Sequence, residues 1–125
     1  MINTLMSLFT KPGVLHHYEK VILLNANQDQ QTVIMAKIDT GADRSSLDEK
    51  IAQQLGLLDE KNIVAVKQYR SGLGKQERKI VNVTFILKGK KITSQLSITD
   101  RSGLNYSMLI GVKDMKGFVV DPNLK

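Results

Sequence analysis

Apolar and polar positions alternate along much of this chain, and the alternation breaks at short polar or glycine-bearing intervals. In the run Lys79 to Leu87, residues Val81, Val83, Phe85 and Leu87 share one face. A period of two is the mark of a half-buried strand. The same reading predicts strands over Lys20–Asn25, Thr32–Ile38, Ile63–Tyr69, Ile92–Thr99, Ser107–Ile110 and Gly117–Val120. The turns between them are Asn27–Gln31, Ser71–Gly74 and Lys88–Lys90, and the first of these joins its flanking strands into a hairpin. Asp100–Asn105 reads as a loop and Val112–Lys116 as a helical turn. One stretch follows another period. Ser46-Leu47-Asp48-Glu49 has the form of a capping box, Leu47, Ile51 and Leu55 recur at helical spacing, and Gly56 stands where a C-terminal glycine belongs, which predicts a helix over 47–55. Many short strands with one or two short helices predict an all-β domain, a small barrel or sandwich. Residues 1–17 show no clear period and read as an N-terminal arm ahead of a domain over 18–125.

Composition narrows the chemistry. The 125 residues are enough for one domain with a modest core, and with 5% aromatics and no Trp that core must be largely aliphatic. There is no cysteine, so neither a disulfide framework nor a thiol nucleophile is available. The histidines, His16 and His17, are adjacent, and neighbouring side chains rarely converge on one metal; we expect them at the surface, and expect no metal site and no cofactor. No run approaches the roughly 18–20 apolar residues of a membrane span, and Met1–Phe9 lacks the basic start and small-residue cleavage pattern of a signal peptide, so a cytoplasmic protein is expected.

The net charge of +6 is unevenly placed. Nine basic residues lie between Lys61 and Lys91, with Glu77 the only acid among them. Such a segment is either a solvated face or a surface for an acidic partner or substrate. Only Tyr69 and Phe85 interrupt the basic residues, not the interleaved aromatic platform that nucleic acid would require.

The sharpest chemical signal is Asp39-Thr40-Gly41-Ala42, which ends the strand over Thr32–Ile38. A strand of that kind is expected to carry Asp39 into an apolar setting, where an ionised carboxylate needs a partner or a task. Taken alone, Asp39 could also fix a turn or cap a helix. An aspartyl-phosphate role does not fit, because neither a second acid two residues on nor a Lys-Thr-Gly-Thr run follows it.

The order of Asp39-Thr40-Gly41-Ala42, a glycine-bearing hairpin at Ser71–Gly74 and Leu109-Ile110-Gly111 resembles the retropepsin-like aspartic proteases, the single-domain relatives of pepsin. The pieces AKIDTGAD, YRSGLGKQERKIV, LSITDRSGLNYSMLIG and GFVVDPN are similar to a bacterial group of that clan often labelled ATP-dependent zinc proteases, some of which occur beside ATP-grasp ligases that add glutamate tails to a ribosomal protein. The sequence holds no ligand cluster, P-loop or nucleotide fingerprint to support "zinc" or "ATP".

The resemblance implies a small closed acid-protease barrel and a C2 homodimer. One Asp-Thr-Gly per chain means that the second carboxylate comes from another copy. It implies that Asp39 is the catalytic carboxylate and that Thr40 bonds across the dimer axis. Gly41 would let the backbone approach the carboxylate, and Ala42 would keep the cleft floor small, with Asp43 completing the loop. Arg70, Ser71, Gly72, Leu73 and Gly74 would form a flap over a peptide or protein substrate, and Leu109, Ile110 and Gly111 would support the loop. The basic strands and the glutamate-ligase association point to acidic substrates.

Two departures stand out. The family's usual Arg after the last glycine is Val112 here, with Lys113 next, so Asp43 is expected to pair with Arg44, Lys113 or a residue of a partner chain. The segment after the motif reads Asp43-Arg44-Ser45-Ser46-Leu47-Asp48 where the bacterial group often has DTGA-x-T-S-A-L-H. The alternative they raise is a catalytically silent dimerisation or binding domain of the same fold.

Overall fold

The computed structural model describes residues 13–72 and 74–123. Among them are nine strands and one α-helix: β1 Gly13–Leu15, β2 Tyr18–Leu24, β3 Gln31–Ile38, β4 Ser46–Asp48, α1 Glu49–Gln54, β5 Ile63–Ser71, β6 Gly74–Leu87, β7 Lys90–Thr99, β8 Met108–Ile110 and β9 Phe118–Val120. Short 3₁₀ turns lie at Glu60–Asn62 and Val112–Asp114. Strands β2, β3, β8, β4, β7 and β6 pair in that order, and β6 returns to β2, so six strands close a barrel. The all-β closed barrel expected from the sequence is therefore the observed fold. The β3–β8 and β4–β7 pairs are parallel and the others in the ring antiparallel. Strand β5 hangs from the outer part of β6 as a long hairpin.

The alternating faces build the interior as read. Val81, Val83, Phe85 and Leu87 of β6 are buried with Val21 and Leu23 of β2, Leu47 of β4, Leu96 and Ile98 of β7, and Met108 and Ile110 of β8. The core is aliphatic apart from Phe85 and the methionine thioethers. Strands β6 and β7 are joined by a two-residue turn, Lys88-Gly89, with both residues in the left-handed region (φ +52° and +77°). That geometry matches the twist of a tight hairpin and suits glycine at the second position.

The N-terminal arm read over 1–17 contains β1, which pairs in parallel with β9 and buries Leu15 completely. Residues 1–12 of that arm lie outside the described residues.

Strand β6 starts at Gly74, ahead of the Lys79 start read from the sequence, and one further element differs in kind. The helix predicted over 47–55 starts only at Glu49, and Ser46–Asp48 form strand β4. The capping box does not form. Ser46 and Leu47 pair with Leu109 and Met108 of β8, and the same segment pairs with Ser97–Thr99 of β7, so β4 fills a place in the ring that a helix would leave open. Asp48 occupies the N-cap position without capping, because its Oδ1 accepts the Arg101 main-chain N–H at 2.8 Å. The C-terminal reading holds. Gly56 has φ +72° and its N–H reaches the Gln53 carbonyl at 3.1 Å.

The loop after β3 is clasped by the turn after β8. Asp39 N–H donates to the Ile110 carbonyl (3.0 Å), Val112 N–H to that of Ala42 (2.7 Å) and Lys113 N–H to that of Asp43 (3.0 Å). The buried hydroxyl of Ser45 accepts the Gly111 N–H at 2.9 Å and donates to the buried Asp114 carboxylate at 2.5 Å. Gly111 has an extended backbone that any residue could adopt (φ −96°), yet a Cβ there would lie 2.7–2.9 Å from main-chain atoms of Ala42, Asp43 and Arg44. Backbone, not flexible side chain, occupies that space, so the glycine is required by close approach.

Two variants check this account. Phe85→Ala should lower the unfolding free energy by about 3–5 kcal/mol, read by urea denaturation, because it empties the centre of the barrel. Gly111→Ala should cost about 1–3 kcal/mol by forcing the loop outward, and its effect on any activity should exceed that of a core variant of equal stability. An unchanged midpoint for Gly111→Ala would show that the loop gives way freely.

Candidate active site

Asp39 stands at the mouth of the barrel, one residue past the end of β3. Its Oδ1 accepts the Gly41 N–H at 2.9 Å, and its own carbonyl accepts the Ala42 N–H at 3.2 Å. A Cβ on Gly41 would come within 3.2 Å of that oxygen, so glycine lets the main chain close on the carboxylate. The apolar setting expected for Asp39 is not what the fold provides. The residue is half-buried, Thr40 and Gly41 are exposed, and the carboxylate borders a groove of about 400 Å³ lined by His16, His17, Ile38, Thr40, Val120 and Pro122. Strand β3 buries Ala36 and Ile38, then ends before Asp39. The two histidines, expected as surface bystanders, thus lie on the same groove as Asp39. His16 is half-buried and His17 exposed.

On the other side of the loop lies a larger cleft of about 690 Å³. Its floor is Ala42, Asp43 and Arg44 from the loop, with Leu109 from β8. Its roof is Lys67 and Tyr69 of β5 and Gln76 and Arg78 of β6. These four form two cross-strand pairs, Lys67 opposite Arg78 and Tyr69 opposite Gln76, so every second residue of each strand turns to the cleft. The stretch read as a flap, Arg70 to Gly74, is the tip of this hairpin, with Arg70 opposite Lys75 and Ser71 opposite Gly74. Arg70 falls on the alternate face from Lys67 and Tyr69, and Leu73 lies outside the described residues. The period-two pattern of β5 and β6 was the available signal for the four roof residues. Which face met the cleft was not readable without the barrel.

The end wall of the cleft comes from Asp100-Arg101. Arg101 is half-buried and held at both ends. Its main-chain N–H goes to Asp48, its Nε donates to the Tyr106 carbonyl at 2.9 Å, and its Nη1 to Ser46 Oγ at 3.2 Å. Burial lowers its pKa from the ordinary arginine value, while the Asp48 and Asp39 carboxylates favour the charged form, so Arg101 stays a cation beside the loop. Asp100 is exposed, and hydrogen bonds from the Ser102 hydroxyl and N–H hold its carboxyl below the usual range. The cleft therefore carries Arg44, Lys67, Arg78, Arg101 and Lys113 against Asp43 and Asp100.

The pairing expected for Asp43 within the chain is not found. Among the described residues the ion pairs within 4.0 Å are His16–Glu19 and Lys88–Glu19, and Asp43 meets Lys113 only through the main chain. Arg44 turns instead to the Gln95 carbonyl at 3.3 Å. Sequence reading also missed Ser45 and Asp114, the buried pair behind Gly111, whose separation along the chain leaves no local signal. A zinc ion, which the label of the bacterial group would imply, finds no donor set. Among the described residues no three His, Cys, Asp or Glu side chains are grouped to hold a metal. No helix among them is long and apolar enough to cross a membrane.

Comparison with known proteins agrees with this architecture. Residues 52–125, more than half of the chain, match the RimB-like family, described as retropepsin-like aspartic endopeptidase RimB. That stretch holds the hairpin, Asp100-Arg101 and Leu109-Ile110-Gly111, while Asp39–Gly41 lies upstream of it. The family description names neither zinc nor ATP. No curated protein matches the chain significantly. Among solved structures, Lpg0085 of Legionella pneumophila, a DUF785 protein of unknown function, is 19% identical with a TM-score of 0.57, covering 92% of this chain and 97% of its own. The simian foamy virus protease is 13% identical (TM-score 0.57; 78% and 90% covered). The retroviral protease-like domain of Ddi1 from Leishmania major is 20% identical (TM-score 0.50; 85% and 78% covered). At these identities the structural likeness speaks for the fold, and the family match for descent: this chain belongs to the RimB-like family of retropepsin-like aspartic endopeptidases.

Proposed function

We propose that the chain is an aspartic endopeptidase acting as a C2 homodimer, with Asp39 of each copy facing the other across the two-fold axis. The observation that carries this reading is the loop itself. Asp39 is oriented by the Gly41 N–H and clasped from behind by Gly111–Lys113, yet its front is an open groove with Thr40 exposed beside it. A second copy would close that groove and supply the second carboxylate. Two carboxylates so close cannot both ionise comfortably and share a proton. The ionised one takes a proton from water, which attacks the scissile carbonyl, while the protonated one donates to that carbonyl oxygen; as the tetrahedral intermediate collapses, the first carboxyl passes the proton it took from water to the leaving amine and the second regains its own.

The other assignments follow from position. Thr40 would bond across the axis, Ala42 and Asp43 would border the bound peptide, and the β5–β6 hairpin would close over it, its tip at Arg70–Gly74 and its working face at Lys67, Tyr69, Gln76 and Arg78. Leu109, Ile110 and Gly111 would keep the loop from shifting. The five cations of the cleft against two anions support acidic substrates, including glutamate-rich tails. A cytoplasmic setting is part of the same proposal.

A second reading, a silent binding domain of this fold, draws on one feature. Val112 takes the place of the usual arginine, and Asp43 has no ion pair among the described residues.

The two readings separate on Asp39→Asn assayed against a peptide library across pH. Activity should fall at least about a hundredfold, and the wild-type profile should be bell-shaped, with apparent pKa values that belong to the pair. Cleavage that survives the substitution would end the protease reading. The absence of any cleavage or statine-type inhibition in the wild type would favour the silent one. Substrate choice has its own check: acidic peptides should be cut faster than neutral ones at low salt, with the advantage shrinking as salt rises. Equal rates at low salt would remove the acidic preference.

A further inference from the structure

The two ion pairs found among the described residues converge on one buried carboxylate. Glu19 is 9% exposed, with its Oε1 3.6 Å from Lys88 Nζ and its Oε2 3.8 Å from His16 Nδ1. The same Oε2 accepts the His16 main-chain N–H at 2.7 Å. A carboxylate removed from water needs such partners, because burial strips its hydration and otherwise returns nothing. None of these groups has a part in the reaction set out above, yet His16 lines the groove that holds Asp39.

Strand register brings the histidine to the aspartate. Tyr18 pairs with Lys37 in the antiparallel β2–β3 ladder, and the Ile38 N–H reaches the His17 carbonyl at 2.8 Å, which carries the ladder one step past Tyr18. One step further sets His16 opposite Asp39. Residues opposite each other across such a pair have Cβ atoms about 4.5–5.5 Å apart. Glu19 holds the His16 main chain from behind, and Lys88 balances the charge of Glu19, so a proton on the imidazole adds a net positive charge to the groove. The other titratable groups nearby are occupied elsewhere. Lys37 of β3 belongs to the Tyr18 pair, Tyr18 stacks on Tyr106 with ring centres 4.4 Å apart, and the Asp121 carboxylate accepts the Asn123 N–H at 2.9 Å. Strand β1 brings no titratable side chain, and His17 lines the same groove outside the ion pairs of the described residues.

A pair of carboxylates sharing one proton works between two apparent pKa values, below which both are protonated and above which both are ionised. A nearby cation favours every ionised form and lowers both limits, whereas a neutral neighbour lowers neither. Histidine passes from one state to the other between about pH 5 and 8. It is charged where the pair would otherwise become fully protonated, and neutral where the pair would otherwise lose its shared proton. We infer that His16, anchored by Glu19, is a positioning residue for the Asp39 pair. Its imidazolium holds one carboxylate ionised at acid pH, and its neutral form leaves the shared proton in place at higher pH. The inference rests on the protease reading above and adds to it the group that widens the pH range of the reaction.

The test compares the full wild-type chain with His16→Gln, which is neutral throughout, and His16→Lys, which stays charged over the range. In the pH profile of kcat/KM on one cleaved peptide, His16→Gln should move the acidic limb up by about half a pH unit and leave the basic limb in place. His16→Lys should keep the acidic limb of the wild type and move the basic limb down by a similar amount. A purely structural role would lower the rate and move neither limb. A second readout needs no turnover. The His16 imidazole titration, followed by NMR, should have its midpoint fall by about half a pH unit when Asp39→Asn removes the facing charge. An acidic limb that His16→Gln leaves unmoved, or an imidazole midpoint indifferent to Asp39→Asn, overturns the inference while the protease reading stands. If the wild type cleaves no peptide, that reading fails, and the imidazole midpoint alone decides whether His16 is coupled to Asp39.

Discussion

The structure depends on a clasp between two stretches distant in sequence. The loop Asp39–Ser45 leaves a strand end with no regular structure to hold it, and an aspartate there would ordinarily sample many positions. Here three main-chain bonds, a buried serine bridging Gly111 to Asp114, and the absence of a side chain on Gly111 fix the loop against the end of β8. The parallel pair β3–β8, with Ile38 beside Ile110, aligns the two exits from the barrel so that the clasp can form. Barrel closure thus reaches the carboxylate through a short rigid path. Under the proposed function that rigidity would matter chemically, since small displacements of a reacting group cost orders of magnitude in rate.

The strands were readable because period-two alternation is a local consequence of burying one face. β2, β3, β6 and β7 appear close to where the pattern puts them, and Gly56 ends α1 as its left-handed backbone requires. The start of α1 was misread for a reason that is not local. Ser46-Leu47-Asp48-Glu49 has real capping chemistry, but pairing with two strands competes with it, and Arg101 takes the Asp48 carboxylate that a cap would use. Tertiary partners far along the chain outweighed a preference of about 1 kcal/mol.

The site was legible in its triplet and less so in its walls. Asp39, Gly41 and Gly111 carry steric demands that a sequence motif preserves, and they meet as the motif order suggested. Asp100-Arg101 reads in the sequence only as the start of a loop. In the fold the arginine ties loop, helix start and cleft together, a task defined only by where Asp48, Ser46 and Tyr106 arrive. The sequence marks the hairpin by its glycine-bearing tip. The residues facing the cleft lie further down both strands, because a roof is made by one face of a ribbon and the turn marks only where the ribbon reverses.

A folded chain satisfies its local rules nearly everywhere, so the places where it does not carry meaning. In this barrel the central core cluster is apolar. The departures gather at one end: a half-buried carboxylate open to a groove, an excess of cations around a cavity, a guanidinium and a hydroxyl with unmet bonds. Each is unfavourable to the isolated chain. Selection for stability alone would replace Ser97 by alanine and thin out the positive charge. Their concentration around the loop that the rest of the fold holds still is what the proposed function, binding of a charged chain, would require. It links the rigidity of the clasp to the chemistry it presents.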